Sequence, residues 1–203
     1  VTAFLADKNS NKRTIMIDKV LDRPEFVDFW TLQLADIFQN RKERDHDVRG
    51  TKGVRAFHSW LHDQVRTNKP WDVLCSEILT STGTTSENPS VGYFIVTVGE
   101  QREAHRSEVV ASMAQSFLGT RIGCAQCHNH PLEKYTQDDF YRFSGFFSRL
   151  RLDRKDPKDG VTTLFANLKE DEQKRPLGVT QPRTGEFLNP RPIDRAPVET
   201  NKE

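Results

Sequence analysis

Apolar residues return at helical spacing over the first 150 residues, and that rhythm predicts a succession of short helices. Ile15, Ile17, Val20 and Leu21 set one over residues 12–21. Pro24 suits the first turn of a second, whose stripe is Phe26, Trp30, Leu34, Ile37 and Phe38. A charged connection over residues 41–53 ends in glycines. Val54, Phe57, Leu61 and Val65 then mark one face of a third helix, Asn68-Lys69-Pro70 interrupts it, and residues 71–79 form a fourth on Leu74, Ile78 and Leu79. Residues 80–92, rich in Ser, Thr, Gly and Asn-Pro, read as a loop. Tyr93 to Val98 is β-branched and aromatic, a strand or a buried extended segment.

A longer helix is expected over residues 101–118, with Val110, Met113 and Phe117 inward and Gly119 as its stop signal. Thr136 with Asp139 three residues on resembles a capping box with Asp in place of Glu, opening a last helix on Phe140, Phe143, Phe147 and Leu150. After Leu150 the rhythm ends, and six of the ten prolines fall between residues 156 and 197. Val161 to Phe165 could pair as a local strand. Residues 176–203 read as extended chain that docks where its apolar residues allow, through Phe187, Leu188 and Ile193. The expected fold is mainly α: a helical domain over residues 1–150 and an extended, proline-rich C-terminal tail over residues 151–203.

Composition narrows the function. Hydrophobic residues make up 35% and charged residues 29%, and no run approaches the length of a membrane span. Thirty basic and 29 acidic residues interleave without a block of one sign, which removes the electrostatic case for nucleic acid. The chain opens on Val1 with neither an initiator methionine nor a signal h-region, and reads as a mature piece or a fragment. Three cysteines are too few for a disulfide framework. Cys75, among Val73, Leu74 and Ile78, reads as a buried apolar thiol.

The other two cysteines carry the candidate chemistry. Cys124-Ala125-Gln126-Cys127-His128 is CxxCH, the attachment sequence of c-type haem. Two cysteines three apart can present their sulfurs to the two vinyl groups of one porphyrin and form thioethers. The next residue, His128, is then held beneath the ring as the proximal iron ligand. By composition the pattern should arise by chance in roughly one chain in a thousand of this length and cysteine content, so it is a specific signal.

Other readings of the same residues remain open. A redox dithiol of the thioredoxin type wants a strand before CxxC, whereas residues 106–118 read as helix. A structural zinc site wants four ligands; Cys124, Cys127 and His128 or His130 supply three, and Cys75 would have to complete them. His130 lies too close behind His128 to reach the far side of one ring. It could meet a haem propionate or a second metal, or simply make the turn before Pro131. Candidates for the sixth iron position are Met113 first, on the helix leading into the motif, then His58 and His62, i and i+4 on the third helix. A methionine on an apolar stripe can equally be core filler, and the two histidines can sit at the boundary of core and water.

The stretch Phe117-Leu118-Gly119-Thr120-Arg121-Ile122-Gly123-Cys124-Ala125-Gln126-Cys127-His128-Asn129-His130-Pro131, continuing through Tyr135-Thr136-Gln137-Asp138-Asp139-Phe140-Tyr141 to Phe146-Phe147, resembles the planctomycete cytochrome-c-like domain family. The similarity extends upstream over residues 13–29 and 57–79, and Thr184-Gly185-Glu186-Phe187 to Pro197 is similar to the connector before a second domain, absent from this chain. Many relatives carry Asp where this chain has Asn129. The resemblance implies an exported protein, periplasmic or at the cell surface, with one covalent haem c on Cys124 and Cys127 ligated by His128. The resulting expectation is a helical, mono-haem c-type cytochrome domain that transfers single electrons to or from a partner protein or a fused C-terminal domain. Peroxide chemistry follows only if the sixth position is open. The alternative is a non-redox surface assembly module with a structural zinc site at the Cys/His cluster.

Overall fold

Pro24 follows an extended Arg23 and opens the helix Pro24–Ile37, as its place ahead of the apolar stripe predicts. The computed structural model describes residues 1–40, 50–94, 108–156, 161–165 and 176–193. In chain order its helices are α1 (Thr2–Ala6), α2 (Lys12–Leu21), α3 (Pro24–Ile37), α4 (Gly50–Arg66), α5 (Trp71–Leu79), α6 (Glu108–Leu118) and α7 (Gln137–Ser144). Short 3-10 turns lie at Pro89–Val91, Gly123–Gln126 and Gly145–Phe147. The chain is mainly helical, and no helix among the described residues is long and apolar enough to cross a membrane.

α3 packs on α4 by only part of the stripe read from the sequence, with Phe38 buried and Leu34 partly so. Thr31, Ala35 and Phe38 are buried, while Trp30 and Ile37 lie half in water. The inward face is turned toward Thr31 and Ala35 because small residues let α4 approach closely, and Thr31 is satisfied in the core by donating to the Val27 carbonyl at 2.7 Å. α4 buries Phe57 and Leu61, and α5 buries Leu74 and Ile78, as their spacing predicts. Cys75 is only half-buried; burial, and after it the Asp72 carboxylate, pushes its thiol up.

Around Phe38 these helices form an aromatic core. Its ring stacks on Trp71 at 6.1 Å and on Phe117 at 5.5 Å, and meets Tyr93 edge-on at 5.7 Å. Tyr93 itself corrects the expectation of an extended segment: residues 92–94 are helical, with Tyr93 and Phe94 wholly buried. Gly92 makes that possible, since a Cβ there would stand 2.5 Å from the Cβ of Phe57. Residues 95–98 and 101–107, the rest of that segment and the expected start of α6, lie outside the described residues, as do residues 41–49. α2 keeps its predicted bounds but buries nothing; Ile15 is 51% and Ile17 48% exposed.

Strand β1 (Gly83–Thr84) within the expected loop pairs antiparallel with β3 (Val161–Phe165), which pairs in turn with β2 (Arg151–Asp156). Val161–Phe165 is therefore a strand, as the sequence suggests, but one of its two partners comes from far upstream. A second ribbon, β4 (Val179–Thr180) with β5 (Phe187–Leu188), turns through residues 181–186. It lies on α7 with Leu188 and Pro190 buried.

Candidate functional site

A second buried cluster, joined to the aromatic one through the partly buried Phe143 and Phe147, supports the cysteine motif. Val110 and Ala114 of α6, Ile122 and Ala125 of the motif, and Phe140 of α7 are its buried members. Ile122 and Ala125 are the inward anchors: with both sealed in apolar packing, the intervening turn must present its other residues outward. The turn Gly123–Gln126 is tightened by the Ala125 amide donating to the Ile122 carbonyl at 2.9 Å and the Cys127 amide to the Cys124 carbonyl at 3.4 Å. Cys124 and Cys127 are consequently both exposed, and both are free thiols.

The imidazole of His128 is also exposed, and its orientation is set. Nδ1 lies 2.7 Å from the carbonyl oxygen of Asn129. A carbonyl only accepts, so Nδ1 carries the proton and donates it. The lone pair is then on Nε2, the outer nitrogen, which makes no hydrogen bond among the described residues. A backbone acceptor on one ring nitrogen is the usual means of fixing which nitrogen meets a metal. The side chain of Asn129 acts elsewhere, and its Oδ1 accepts from the amide of Gln137, the first residue of α7, at 3.0 Å. An Asp here would present the same oxygen to the start of the helix.

Two side chains of α7 hold the turn from below. Gln137 Nε2 donates to the Gln126 carbonyl at 2.9 Å, and Tyr141 Oη donates to the same oxygen at 3.2 Å. Burial, and after it the repulsion that a thiolate at the neighbouring Cys127 exerts on a phenolate, pushes the Tyr141 hydroxyl above its usual range. α7 is itself fixed by the expected capping box. The Asp139 amide donates to Thr136 Oγ1 at 3.2 Å, and the Thr136 amide donates to Asp139 Oδ2 at 2.8 Å.

The remaining candidates are dispersed. His130 is a turn residue: its Nδ1 accepts from the Leu132 amide at 3.3 Å and the Glu133 amide at 3.0 Å, and its own amide donates to the Tyr135 carbonyl. Met113 is buried in the aromatic core with Phe38, Phe57 and Ile78, whereas the α6 residues packed with the motif are Val110 and Ala114. His58 lies exposed on α4, and His62 Nε2 pairs with Asp28 Oδ1 at 3.3 Å on the outer side of α3. Among the described residues no group of three or more His, Cys, Asp or Glu side chains is placed to hold a metal ion, so the zinc reading finds no closed ligand set there. Gln137 and Tyr141 were missed by the sequence reading, though their i, i+4 spacing on the helix after the motif puts them on one face.

The donor set of the motif fits a c-type haem. Two unblocked thiols stand beside an imidazole whose outer nitrogen has its lone pair available. Residues 1–152 match the model of a protein family, PSCyt2, described as a protein of unknown function (DUF1549). No curated protein matches the chain, and no solved structure does.

Proposed function

This chain belongs to the PSCyt2 family, and we propose that it is a mono-haem c-type cytochrome domain that passes single electrons to and from a partner protein or a following domain. One observation carries the reading: a CxxCH turn with both thiols free and exposed and with His128 Nδ1 tied to a backbone carbonyl. Cys124 and Cys127 would each add across a vinyl group, the sulfur to one carbon and the thiol proton to the other, so the attachment needs no oxidant. His128 Nε2 would be the proximal iron ligand. Haem, when bound, supplies a reversible one-electron couple.

The chain's own residues then set the conditions of that couple. The Asn129 carbonyl, as acceptor for Nδ1–H, fixes the tautomer and the orientation of the His128 ring. Gln137 and Tyr141 hold the turn that carries the cysteines, and Ile122 and Ala125 keep its inner side dry. His130, with its Nδ1 engaged by two amides, shapes the return of the chain toward α7. Haem attachment of this kind belongs to an exported protein, at the cell surface or in the periplasm, where electron partners are other exported proteins.

Protein matured in a host with haem-attachment machinery is expected to gain the mass of one haem. It should keep its colour after denaturation and show a Soret band that moves on reduction. The Cys124→Ser, Cys127→Ser double variant should lose the covalent link. A colourless product of apoprotein mass from such a host overturns the proposal.

A further inference from the structure

Gln181 stands 44 residues after Gln137, yet it is buried to 2% exposure and wholly committed to hydrogen bonds. Its Nε2 donates to Gln137 Oε1 at 3.2 Å and to Asp138 Oδ1 at 3.4 Å, while its Oε1 accepts from the amides of Arg183 and Thr184. Both donors and both acceptor positions of the side-chain amide are filled. The Gln137 amide so gripped is the one that donates to Gln126, between the two cysteines. A continuous relay therefore runs from Gln181 through Gln137 to the carbonyl of the cysteine turn.

The segment bearing Gln181 is seated closely on α7 and the turn after it. A Cβ on Gly145 would lie 3.2 Å from the Cα of Gly178 and 3.4 Å from the Cα of Pro190, so the backbone of the segment packs on the backbone of the turn after α7. The Gly178 amide donates to Ser148 Oγ at 3.3 Å, and the Arg191 amide to the Arg142 carbonyl at 3.2 Å. Arg191 also pairs with Asp139, the carboxylate that closes the α7 capping box. Ile193 packs against the core beneath the motif.

We propose that residues 176–193 form a strap belonging to the haem-holding apparatus, with Gln181 as a positioning residue for the Cys124–Cys127 turn. The proposal rests on the haem reading for its purpose but not for its geometry. Loss of the relay leaves Gln126 held by Tyr141 alone, and the turn carrying both thioether positions and the proximal histidine loosens. A looser His128 changes the ligand geometry at iron and therefore the potential.

Two variants separate this from simple support. Gln181→Glu keeps the acceptor for Arg183 and Thr184 but turns a carboxylate oxygen on Gln137 Oε1 and Asp138; Gln137→Met leaves the strap's own turn intact and removes the link to Gln126. In the reduced apoprotein, each is expected to speed amide exchange of Ala125 and Cys127 by about tenfold, the loss of one buried hydrogen bond. In haem-loaded protein each should shift the midpoint potential, and Gln137→Met should do so with the strap amides still protected. Unchanged exchange at Ala125 and Cys127 in Gln137→Met, or an unchanged potential, overturns the proposal; should Gln181→Glu fail to fold, Gln137→Met alone decides. Failure of the unsubstituted protein to attach haem would instead count against the proposed function, because the exchange measurement needs none.

Discussion

At Met113 two roles compete, and the surroundings of the side chain separate them. As an iron ligand its thioether would have to leave a core shared with Phe38, Phe57 and Val109; as packing it stays there. Met113→Ala is therefore expected to cost about 2–5 kcal/mol in chemical denaturation and to leave the visible spectrum of haem-loaded protein unchanged. Disappearance of a sulfur-to-iron charge-transfer band in that variant would restore methionine as the ligand. In the same core Tyr93 donates or accepts with Ser112 at 3.1 Å. Burial pushes its hydroxyl from the ordinary 10.0 up to about 12, and the serine hydroxyls only partly offset this. The folded state thus favours the neutral phenol. Its contribution, on the order of 2–3 kcal/mol, is complete below pH 10.0 and is lost as pH rises through about 12. Stability measured across that window should fall less steeply in Tyr93→Phe. Single residues were legible in the sequence where their chemistry is local: CxxCH and the Thr136–Asp139 cap need only neighbours along the chain. Gln181 carries no local signal, because its role exists only once the strap lies on α7.

The helices divide into those whose stripe the spacing identified and those where neighbours overrode it. α4 buries Phe57 and Leu61, and α5 buries Leu74 and Ile78 but leaves Leu79 on the surface, whereas α3 keeps Phe38 inside, turns the small Thr31 and Ala35 inward and leaves Trp30 half-exposed, a choice made by the shape of α4. α7 is the element on which the candidate site depends most, since its first turn meets the motif, the cap and the strap together. Burial alone would push the Asp139 carboxyl up; the Thr136 amide and hydroxyl and the Arg191 guanidinium outweigh it and hold the carboxyl below its ordinary 3.8. A depressed acid contributes stability that is present above its unfolded value and lost as pH falls through the folded one. The protein should therefore lose strap and cap together on acidification below 3.8. Asp139→Asn should be less stable at neutral pH, by about 1 kcal/mol for the cap alone, and should show a flatter acid limb when helicity is followed against pH.

Across the whole molecule, the prolines after Leu150 signal an end to helical rhythm but cannot say where the chain then goes. Strand pairing between residues 83–84 and 161–165, and the seat of residues 176–193 on α7, depend on contacts far apart in sequence, which periodicity cannot reveal. Their consequence is mechanical. The strap contributes Leu188, Pro190 and Ile193 to apolar packing and the Arg191 guanidinium to Asp139, and it backs the Gln137 amide that steadies the cysteine turn. A chain ended after Leu150 would expose part of the second cluster and open the relay. Burial of Leu188 alone is worth about 1.5–3 kcal/mol, and the part-buried ion pair and hydrogen bonds add to it. We expect the full chain to unfold in one cooperative transition, and the chain ended after Leu150 to unfold at a denaturant midpoint lower by the equivalent of about 3–5 kcal/mol. In haem-loaded form the shortened chain should also have the less protected Ala125 and Cys127 amides. Equal midpoints for the two chains would mean that the strap merely lies on α7, and that residues 1–150 hold the motif by themselves.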